Sequence, residues 1–309
     1  GGSNSINFSA YTSAVTVDLS VNTATANSLT MGVFNILNVT GGEGADQLTG
    51  DANNNTLTGL GGADTLAGLG GNDTYVFNAG WGVGDSVSDT AGSDTITFAG
   101  FTGSLTVNMN ATGFTVTDGL NTLTHSGYTV ENFISGQGSD TFNINNAATL
   151  NIDGSGGNDK FAFLGAGSLT GTLDGGSGSN QLDFSGYSAG PVSLNLQSAT
   201  LTGLSGAFSN MQSFTGSAAS DTLTGFTAGT IFNLTAVHAG NVNSAFTFSG
   251  VENLIGQGGA DIFNLSGNAN LSGALSGGSG SDSLSYSSYG SGREIAISSA
   301  GVNGFSGTQ

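Results

Sequence analysis

The sequence has no cysteine, and among its 309 residues it has only one proline and two basic residues. The absence of cysteine excludes a disulfide framework. Lys160 and Arg293 stand against 21 acidic residues, which gives a net charge of -19. Most of the acids therefore have no internal base to pair with and must face water or a metal ion. Such a chain also lacks the basic contacts that nucleic acid and anionic membrane surfaces require.

Helix signals and long apolar runs are lacking as well. No apolar period of 3.6 residues is sustained, and β-branched residues are abundant, which favours an all-β fold. No apolar run approaches 18 residues, so we expect no membrane insertion. No signal peptide is recognisable. The chain opens on GGSNSINF and stops at GFSGTQ, and we expect both ends to be truncations of a longer repetitive protein.

What the chain does contain is a strict repeat from Gly41 to Val76. This stretch divides without a gap into GGEGADQLT, GDANNNTLT, GLGGADTLA and GLGGNDTYV. Glycine holds the first place of each nonapeptide, an acid or amide the sixth, and a large apolar residue the eighth. The sixth-place residues are Asp46, Asn55, Asp64 and Asp73.

Each nonapeptide reads as a glycine-rich turn followed by a short strand that alternates in polarity. Two nonapeptides then form a coil of 18 residues, which stacks Asp46 on Asp64 and Asn55 on Asp73. Stacked carboxylates repel, and burying unpaired charge is unfavourable. A hard cation bound by carboxylate and turn carbonyl oxygens removes that penalty, and calcium suits such an irregular all-oxygen site better than magnesium.

The four nonapeptides resemble the RTX (repeats-in-toxin) family of calcium-binding repeats. The resemblance implies a right-handed parallel β-roll with Ca²⁺ between the loops, and export from the cell with folding triggered by calcium outside it. The first nonapeptide fits the family pattern completely. The second departs at Asn53 and Asn55, which implies a weaker site, and Leu60 and Leu69 replace the second glycine in the last two. These repeats cover about an eighth of the chain.

Acids in similar loops continue the pattern beyond the repeats. Asp85 and Asp94 follow Asp64 and Asp73 by 21 residues each, which extends both columns of the roll by one coil. Later loops carry an acid or amide at gaps of 19, 21, 41, 40 and 21 residues; they are Asp140, Asp159, Asn180, Asp221, Asp261 and Asp282. We interpret the gaps near 41 as units of two coils.

The predicted fold is therefore a right-handed parallel β-solenoid with about 20 residues per coil, and 18 in the repeat part. We expect one continuous solenoid over residues 1–309. Its parts are a nonapeptide roll at 41–76, a continuation of the roll at 77–99, and a longer-coil solenoid with two-coil units at 100–309.

The sequence predicts calcium ligands at the acid and amide positions of the stacked loops. They are Asp46, Asn55, Asp64, Asp73, Asp85, Asp94, Asp140, Asp159, Asp261 and Asp282. For Asp140 with Asp159 and for Asp261 with Asp282, calcium ligation and simple turn formation are both open, since aspartate favours turns by local hydrogen bonding. Asp221 has no acid one coil away and is interpreted as structural, and Asn180 as the start of an asparagine ladder.

Catalysis is not expected. Parallel β-helices also include polysaccharide lyases, but lyase chemistry requires a base and charge stabilisation, and Lys160 and Arg293 lie too far apart in sequence to serve one site. His125 and His238 are interpreted as packed or surface residues. No serine lies in a GxSxG elbow with defensible partners.

We therefore expect an extracellular calcium-binding structural segment of a bacterial surface protein: an adhesin stalk, a filament subunit or a surface-layer component. Its exposed end coil favours self-association. The alternative is a non-catalytic RTX secretion and folding module of a toxin or hydrolase. Glycan binding would need exposed aromatic residues, for which Trp81, Tyr128 and Tyr187 are the candidates.

Overall fold

The computed structural model describes residues 4–288, except for the side chain of Ser287. Arg293 lies outside the described residues. Within 4–288 every regular element is a β-strand, and no candidate membrane-spanning helix occurs in that part of the chain. The fold is all-β, as the sequence predicts.

The strands are short, and they follow one another along the described chain. The first half contains β1 (Ser5–Asn7), β2 (Val15–Asp18), β3 (Thr23–Ala26), β4 (Leu29–Gly32), β5 (Asn38–Thr40), β6 (Gln47–Thr49), β7 (Thr56–Thr58), β8 (Thr65–Ala67), β9 (Thr74–Val76), β10 (Val83–Ser88), β11 (Thr95–Thr97), β12 (Thr106–Asn110), β13 (Gly113–Thr117), β14 (Thr122–Ser126), β15 (Asn132–Ile134), β16 (Thr141–Ile144) and β17 (Ala147–Thr149). The second half contains β18 (Asn151–Asp153), β19 (Lys160–Phe163), β20 (Ser168–Thr170), β21 (Leu173–Asp174), β22 (Gln181–Asp183), β23 (Ser193–Asn195), β24 (Thr200–Leu201), β25 (Phe208–Ser209), β26 (Ser213–Thr215), β27 (Thr222–Thr224), β28 (Ile231–Ala236), β29 (Ala239–Val242), β30 (Phe246–Ser249), β31 (Asn253–Ile255), β32 (Ile262–Ser266), β33 (Leu275–Ser276) and β34 (Ser283–Ser288).

Successive coils stack their strands into parallel columns. The first sheet has the order β1-β5-β7-β9-β11-β15-β18-β21-β25. The second begins β4-β3-β2-β6-β8-β10-β14-β13-β12-β16 and continues β19-β22-β26-β30-β29-β28-β32-β34. A third has the order β24-β23-β27-β31-β33, and β17 pairs with β20. This stacking of short parallel strands is that of a β-solenoid.

The nonapeptide region alternates between the first two sheets. Strands β6 and β8 pair in parallel with Leu48 opposite Leu66, and β7 pairs with β9 with Leu57 opposite Tyr75. The eighth-place side chain therefore stacks on its counterpart two repeats later. All four eighth-place residues are fully buried, because alternate residues of a strand point to the same face.

The longer units differ from the expected two coils. Antiparallel meanders interrupt the parallel columns at β2-β3-β4, β12-β13-β14 and β28-β29-β30, and β23 forms a hairpin with β24. Ser5 in β1 pairs directly with Asn38 in β5. The meander β2-β3-β4 lies between these two strands, so residues 5–38 form one enlarged coil rather than two. An alternating strand looks the same in sequence whether it pairs in parallel or antiparallel, which is why spacing alone did not distinguish these cases.

Aromatic side chains fill the core of the later coils. Phe142 stacks on Phe161 with ring centroids 4.9 Å apart, and Phe163 stacks on Phe184 at 4.5 Å. Buried aromatic pairs contribute beyond their area of burial. The buried phenylalanines of the solenoid include Phe98, Phe133, Phe142, Phe161, Phe184 and Phe263.

Trp81 is not the exposed aromatic residue that glycan binding would need. It is only 3% exposed, and its ring packs edge-on against Phe77 and Phe98. Tyr128 and Tyr187 are partly buried against the core. The sequence expectation was wrong for Trp81 because its loop folds inward over the aromatic core.

The loops of the third and fourth repeats have a left-handed backbone at the second and fourth places of the nonapeptide. The fourth-place Gly62 and Gly71 have φ angles of 117° and 106°, which glycine adopts without strain. Leu60 and Leu69, which replace the second glycine of the family pattern, also have positive φ, at 70° and 75°. A non-glycine residue in this region loses about 1–2 kcal/mol. In the first repeat neither Gly42 nor Gly44 has a positive φ, so the left-handed turn belongs to the third and fourth repeats.

Candidate metal centre

The sixth-place side chains point into the solenoid wall rather than into solvent. All ten residues that the sequence predicts as calcium ligands are at most 2% exposed; they are Asp46, Asn55, Asp64, Asp73, Asp85, Asp94, Asp140, Asp159, Asp261 and Asp282. Acidic residues are almost never fully buried unless they are paired. Nine buried aspartates and one buried asparagine at equivalent loop positions therefore require a common explanation.

Column one leads into the second sheet and contains Asp46, Asp64 and Asp85. The backbone N–H of Asp46 donates to Oδ1 of Asp64 at 2.8 Å, across 18 residues. The N–H of Asp64 donates in the same way to Oδ1 of Asp85 at 2.9 Å, across 21 residues. Each acid thus accepts a hydrogen bond from its counterpart in the preceding coil, and the predicted stacking is present.

Column two leads into the first sheet and contains Asn55, Asp73 and Asp94. The N–H of Asn55 donates to Oδ1 of Asp73 at 2.6 Å, and the N–H of Asp73 donates to Oδ1 of Asp94 at 2.7 Å. Asn55 differs from the acids because one of its two side-chain polar atoms is a donor: its Nδ2 donates to the carbonyl of Leu37, and its single oxygen accepts the N–H of Asp51. The amide is thereby satisfied within the protein and offers less to a cation.

Column three contains Asp140, Asp159 and Asn180, and column four contains Asp261 and Asp282. The same bond recurs in column three, where the N–H of Asp140 donates to Oδ1 of Asp159 at 2.8 Å and the N–H of Asp159 donates to the amide oxygen of Asn180. In column four the N–H of Asp261 donates to Oδ1 of Asp282 at 3.0 Å. Asn180 thus continues an acid column with an amide.

Glycine at the first place of each repeat is a steric requirement of this arrangement. A methyl group on Gly41, Gly59 or Gly68 would collide with Oδ2 of the aspartate five residues later in the same loop. The backbone φ of these glycines is not in the left-handed region. The carboxylate of the sixth-place aspartate occupies the space that a side chain at the first place would need, which explains why glycine recurs five residues before the acid.

The second carboxylate oxygen is the chemically available one. Among the described residues, five buried aspartates have an Oδ2 that accepts no hydrogen bond; they are Asp64, Asp73, Asp94, Asp159 and Asp261. A buried charged oxygen without a donor is rare in native proteins and calls for an explanation such as an ion. Carboxylate oxygens of this kind, together with turn carbonyls, form the all-oxygen donor set that calcium prefers.

Burial and mutual repulsion disfavour the charged state of these carboxylates in the absence of a cation. Burial, with the charges of Asp85 and Asp46, raises the pKa of Asp64 to about 7. Burial likewise raises the pKa of Asp159 to about 7, and that of Asp73 and Asp85 to about 6. For Asp46, Asp94, Asp140 and Asp261, burial also raises the pKa.

The spacing pattern did not single out three further side chains that continue the columns. The N–H of Asp94 donates to Glu131 at 2.8 Å, that of Asn180 to Gln212 at 2.6 Å, and that of Asp221 to Glu252 at 2.8 Å. These pairs are 37, 32 and 31 residues apart because a meander or hairpin lengthens the coil.

Asp221 therefore does have an acid one coil away, contrary to the sequence expectation. Its own oxygens accept the N–H of Val192 and the N–H and hydroxyl of Ser217. With every oxygen satisfied, its contacts are those of a structural residue. Asp89, another buried acid that the repeat pattern did not single out, lies beside column two.

Within residues 4–288, the two histidines and Lys160 form no catalytic arrangement with the acid columns. Nδ1 of His125 lies 3.0 Å from the carbonyl of Val87, and burial lowers the pKa of its imidazole. Nδ1 of His238 lies 3.1 Å from Glu252. Lys160 forms an ion pair with Asp183 at 2.5 Å and does not reach the acid columns.

Two family models match the chain. Residues 40–75 match the RTX calcium-binding nonapeptide repeat in four copies. The chain carries RTX repeats. Residues 83–174 match the C-terminal domain of the serralysin peptidases of family M10, a domain that is non-catalytic. No curated protein matches the chain.

The RTX repeats bind Ca²⁺ and indicate a secreted protein. Their calcium-binding nature agrees with the oxygen donors that the loops present. In this chain the sixth-place aspartates of the RTX repeats are continued through the region of the serralysin match, where Asp85, Asp94, Asp140 and Asp159 lie in the same kind of column. We propose that the buried sixth-place aspartates are the individual residues that ligate calcium.

We expect Gly59→Ala to weaken calcium binding and to destabilise the calcium-bound protein by about 1–3 kcal/mol, because its methyl group displaces the Asp64 carboxylate. Gly70→Ala is the matched control in the next repeat, since a Cβ there has its nearest neighbour at 3.8 Å. Calcium titration calorimetry and thermal unfolding measure both variants. Equal losses in the two variants would contradict the assigned role of Asp64.

We expect the calcium-free protein to lose stability as the pH rises from about 4 to about 7. The folded-state pKa values of Asp64 and Asp159, about 7, exceed the ordinary aspartate value of 3.8. The folded state therefore binds more protons than the unfolded state in this window, and stability that is complete below it is lost through it. Calcium binds the carboxylate form, so its stabilising effect grows over the same range.

Thermal unfolding in chelator and in calcium, at about pH 5 and about pH 8, measures both trends. A calcium-free protein that is more stable at the higher pH would show that the buried carboxylates do not have raised pKa values.

Proposed function

We propose that the chain is an extracellular structural segment of a large bacterial surface protein, such as an adhesin stalk, a filament subunit or a surface-layer component, and that calcium makes it rigid. The observation that carries the proposal is the set of five buried aspartate oxygens without donors among the described residues. Millimolar calcium outside the cell saturates sites that the cytosolic concentration leaves empty. Because ion binding contributes directly to folding free energy, the rod would become rigid after export.

The segment is proposed to be non-catalytic. In the described part of the chain its buried acids are engaged with backbone N–H groups of neighbouring coils, and its histidines and Lys160 have structural partners. General acid–base catalysis requires a titratable group within reach of a substrate. The columns instead place their acids inside the wall.

A second candidate function is a non-catalytic secretion and folding module of a secreted hydrolase or toxin. The match of residues 83–174 to the serralysin C-terminal domain favours it. Both candidates share the calcium-dependent fold, and they differ in whether the segment also assembles with other copies.

The calcium dependence is tested by adding Ca²⁺ to chelator-treated protein and recording far-ultraviolet circular dichroism, with Mg²⁺ as the control. We expect a cooperative gain of β signal with Ca²⁺ and little with Mg²⁺, because magnesium requires near-octahedral geometry and retains its waters. A fully folded protein in chelator would contradict the proposal, since the aromatic core would then suffice for folding.

We place the self-association that the structural role requires at strand β4 of the second sheet. Strand β4 pairs with β3, and no other strand within residues 4–288 pairs with it. Leu29 and Met31 lie opposite the buried Ala26 and Ala24 and face the core side, yet they are 65% and 38% exposed. An unpaired strand with exposed apolar residues is a template for pairing with another chain.

The second and third meanders, β12-β13-β14 and β28-β29-β30, indicate which kind of strand pairs with such an edge. The last strand of the second meander, β14, pairs in parallel with β10, and that of the third, β30, pairs in parallel with β26. Both strands have buried side chains at the positions that correspond to Leu29 and Met31. The corresponding occupant of β4 is a parallel strand from another solenoid coil, which we propose is supplied by a second copy of this chain.

We expect the wild type in calcium to associate with increasing protein concentration, and Leu29→Lys with Met31→Lys to remain monomeric. Leu120→Lys, at an 82% exposed residue in the turn of another meander, is the matched control and should behave as the wild type. Sedimentation velocity measures all three. A wild type that stays monomeric would exclude the assembly role and leave the secretion and folding module.

A further inference from the structure

An aspartate occupies a place that the RTX repeats reserve for glycine. Strand β10 pairs with β8 so that Ser88 lies opposite Ala67, and Ala91 forms a bridge with Gly70. Asp89 therefore lies one coil beyond Gly68, in register with the first place of the nonapeptide. Its side chain turns into the wall and is only 7% exposed.

The eighth-place residue of the fourth repeat also departs from the repeat pattern. Tyr75 stands where the other repeats have leucine, and its hydroxyl lies against Oδ2 of Asp89. The same hydroxyl accepts the N–H of Gly68 at 2.7 Å. The two departures from the repeat pattern, Tyr75 and Asp89, are thus in direct contact and hold the Asp89 carboxylate in place.

Three buried carboxylates converge at this position. Asp73, Asp89 and Asp94 each offer an oxygen, and these oxygens lie within 4.8 Å of one another. Asp73 and Asp94 are at most 1% exposed, and Oδ2 of each accepts no hydrogen bond. Oδ2 of Asp73 and Oδ2 of Asp89 lie beside the same point, the position of a Cβ on Gly68.

No positive charge of the protein balances this cluster within the described residues. The two ion pairs there join Lys160 to Asp183 and His238 to Glu252. Asp73 and Asp94 each have a buried oxygen without a donor, whereas the Asp89 carboxylate accepts hydrogen bonds from the Tyr75 hydroxyl and from the N–H groups of Thr90 and Ala91. Three carboxylates so close together are unfavourable without a counter-ion, because desolvated charges that are not paired are strongly destabilising. All available donors are oxygens, which is the donor set of a hard divalent cation.

We propose that Asp73, Asp89 and Asp94 bind one calcium ion at the junction between the RTX repeats and the following coils, and that this site binds calcium more tightly than the loops within the repeats. The inference rests on the proposed calcium-dependent function. It follows from ligand charge, because affinity for calcium rises with the number of carboxylates. Elsewhere the first place is glycine, so a loop within the repeats lacks this third carboxylate.

The test uses the full chain with calcium alone as the ligand. Trp81, the single tryptophan, packs edge-on against the stacked rings of Phe77 and Phe98. These two residues follow strands β9 and β11, which flank the site, so the fluorescence of Trp81 reports on this coil. Calorimetry counts the ions. The variants are Asp89→Asn, which removes the charge, and Asp89→Gly, which restores the repeat pattern. Asp118→Asn is the control, because that carboxylate is satisfied by the N–H groups of Leu120 and Asn121.

We expect both Asp89 variants to lose the tightest calcium-binding step, with an affinity at least about tenfold weaker at that step. The Trp81 transition should move to the higher calcium concentration at which the other sites fill. Asp118→Asn should match the wild type. An unchanged tightest step in Asp89→Asn and Asp89→Gly would overturn the proposal while leaving calcium binding by the RTX repeats intact.

If a variant does not fold in saturating calcium, the wild type decides the question by anomalous X-ray scattering from crystals grown in calcium. A peak among the three carboxylates supports the proposal, and calcium confined to the loops within the repeats overturns it. A wild type that binds no calcium in either experiment would instead contradict the proposed function.

Discussion

The structure depends on the interactions of carboxylates that are stacked one coil apart and buried without basic residues to pair with them. Each sixth-place aspartate has two oxygens with different partners. Oδ1 accepts a backbone N–H from the preceding coil, as in Asp46 to Asp64 and Asp140 to Asp159, and this bond fixes the register of the stack. In Asp64 and Asp159, Oδ2 is buried with no donor. One residue therefore joins two coils and at the same time leaves a buried charge that must be neutralised by a proton or a metal ion.

Under the proposed function, this division makes the fold conditional on calcium. Backbone bonds and stacked apolar residues such as Leu48 and Leu66 favour the coil in any solution, whereas the desolvated carboxylates oppose it unless they are protonated or bound to a metal. The free energy of calcium binding enters the folding equilibrium directly. A chain with -19 net charge also repels itself when it is compact, which calcium relieves further. Secretion into a medium rich in calcium then couples location to structure.

The sequence was sufficient where one residue type satisfies one geometric requirement. The 18- and 21-residue spacings correctly placed Asp46, Asp64 and Asp85 in one column, because coils of constant length convert spacing directly into stacking. It failed where length changed. The meanders use the same alternating strands as the parallel columns, so the coils that bring Glu131 to Asp94 and Glu252 to Asp221 were not recognised. The search for the repeat pattern also passed over Asp89, which occupies a place expected to hold glycine.

The most direct test of this account is the number of protons released when calcium binds. Below about pH 7, carboxylates with raised pKa values are partly protonated in the calcium-free folded protein and must lose those protons to bind the ion. Calcium added to weakly buffered protein at about pH 6 should therefore release protons, and the number should decrease toward about pH 8. Saturating calcium uptake at about pH 6 without proton release would show that the ions bind exposed acids of ordinary pKa, and would contradict the central role of the buried columns.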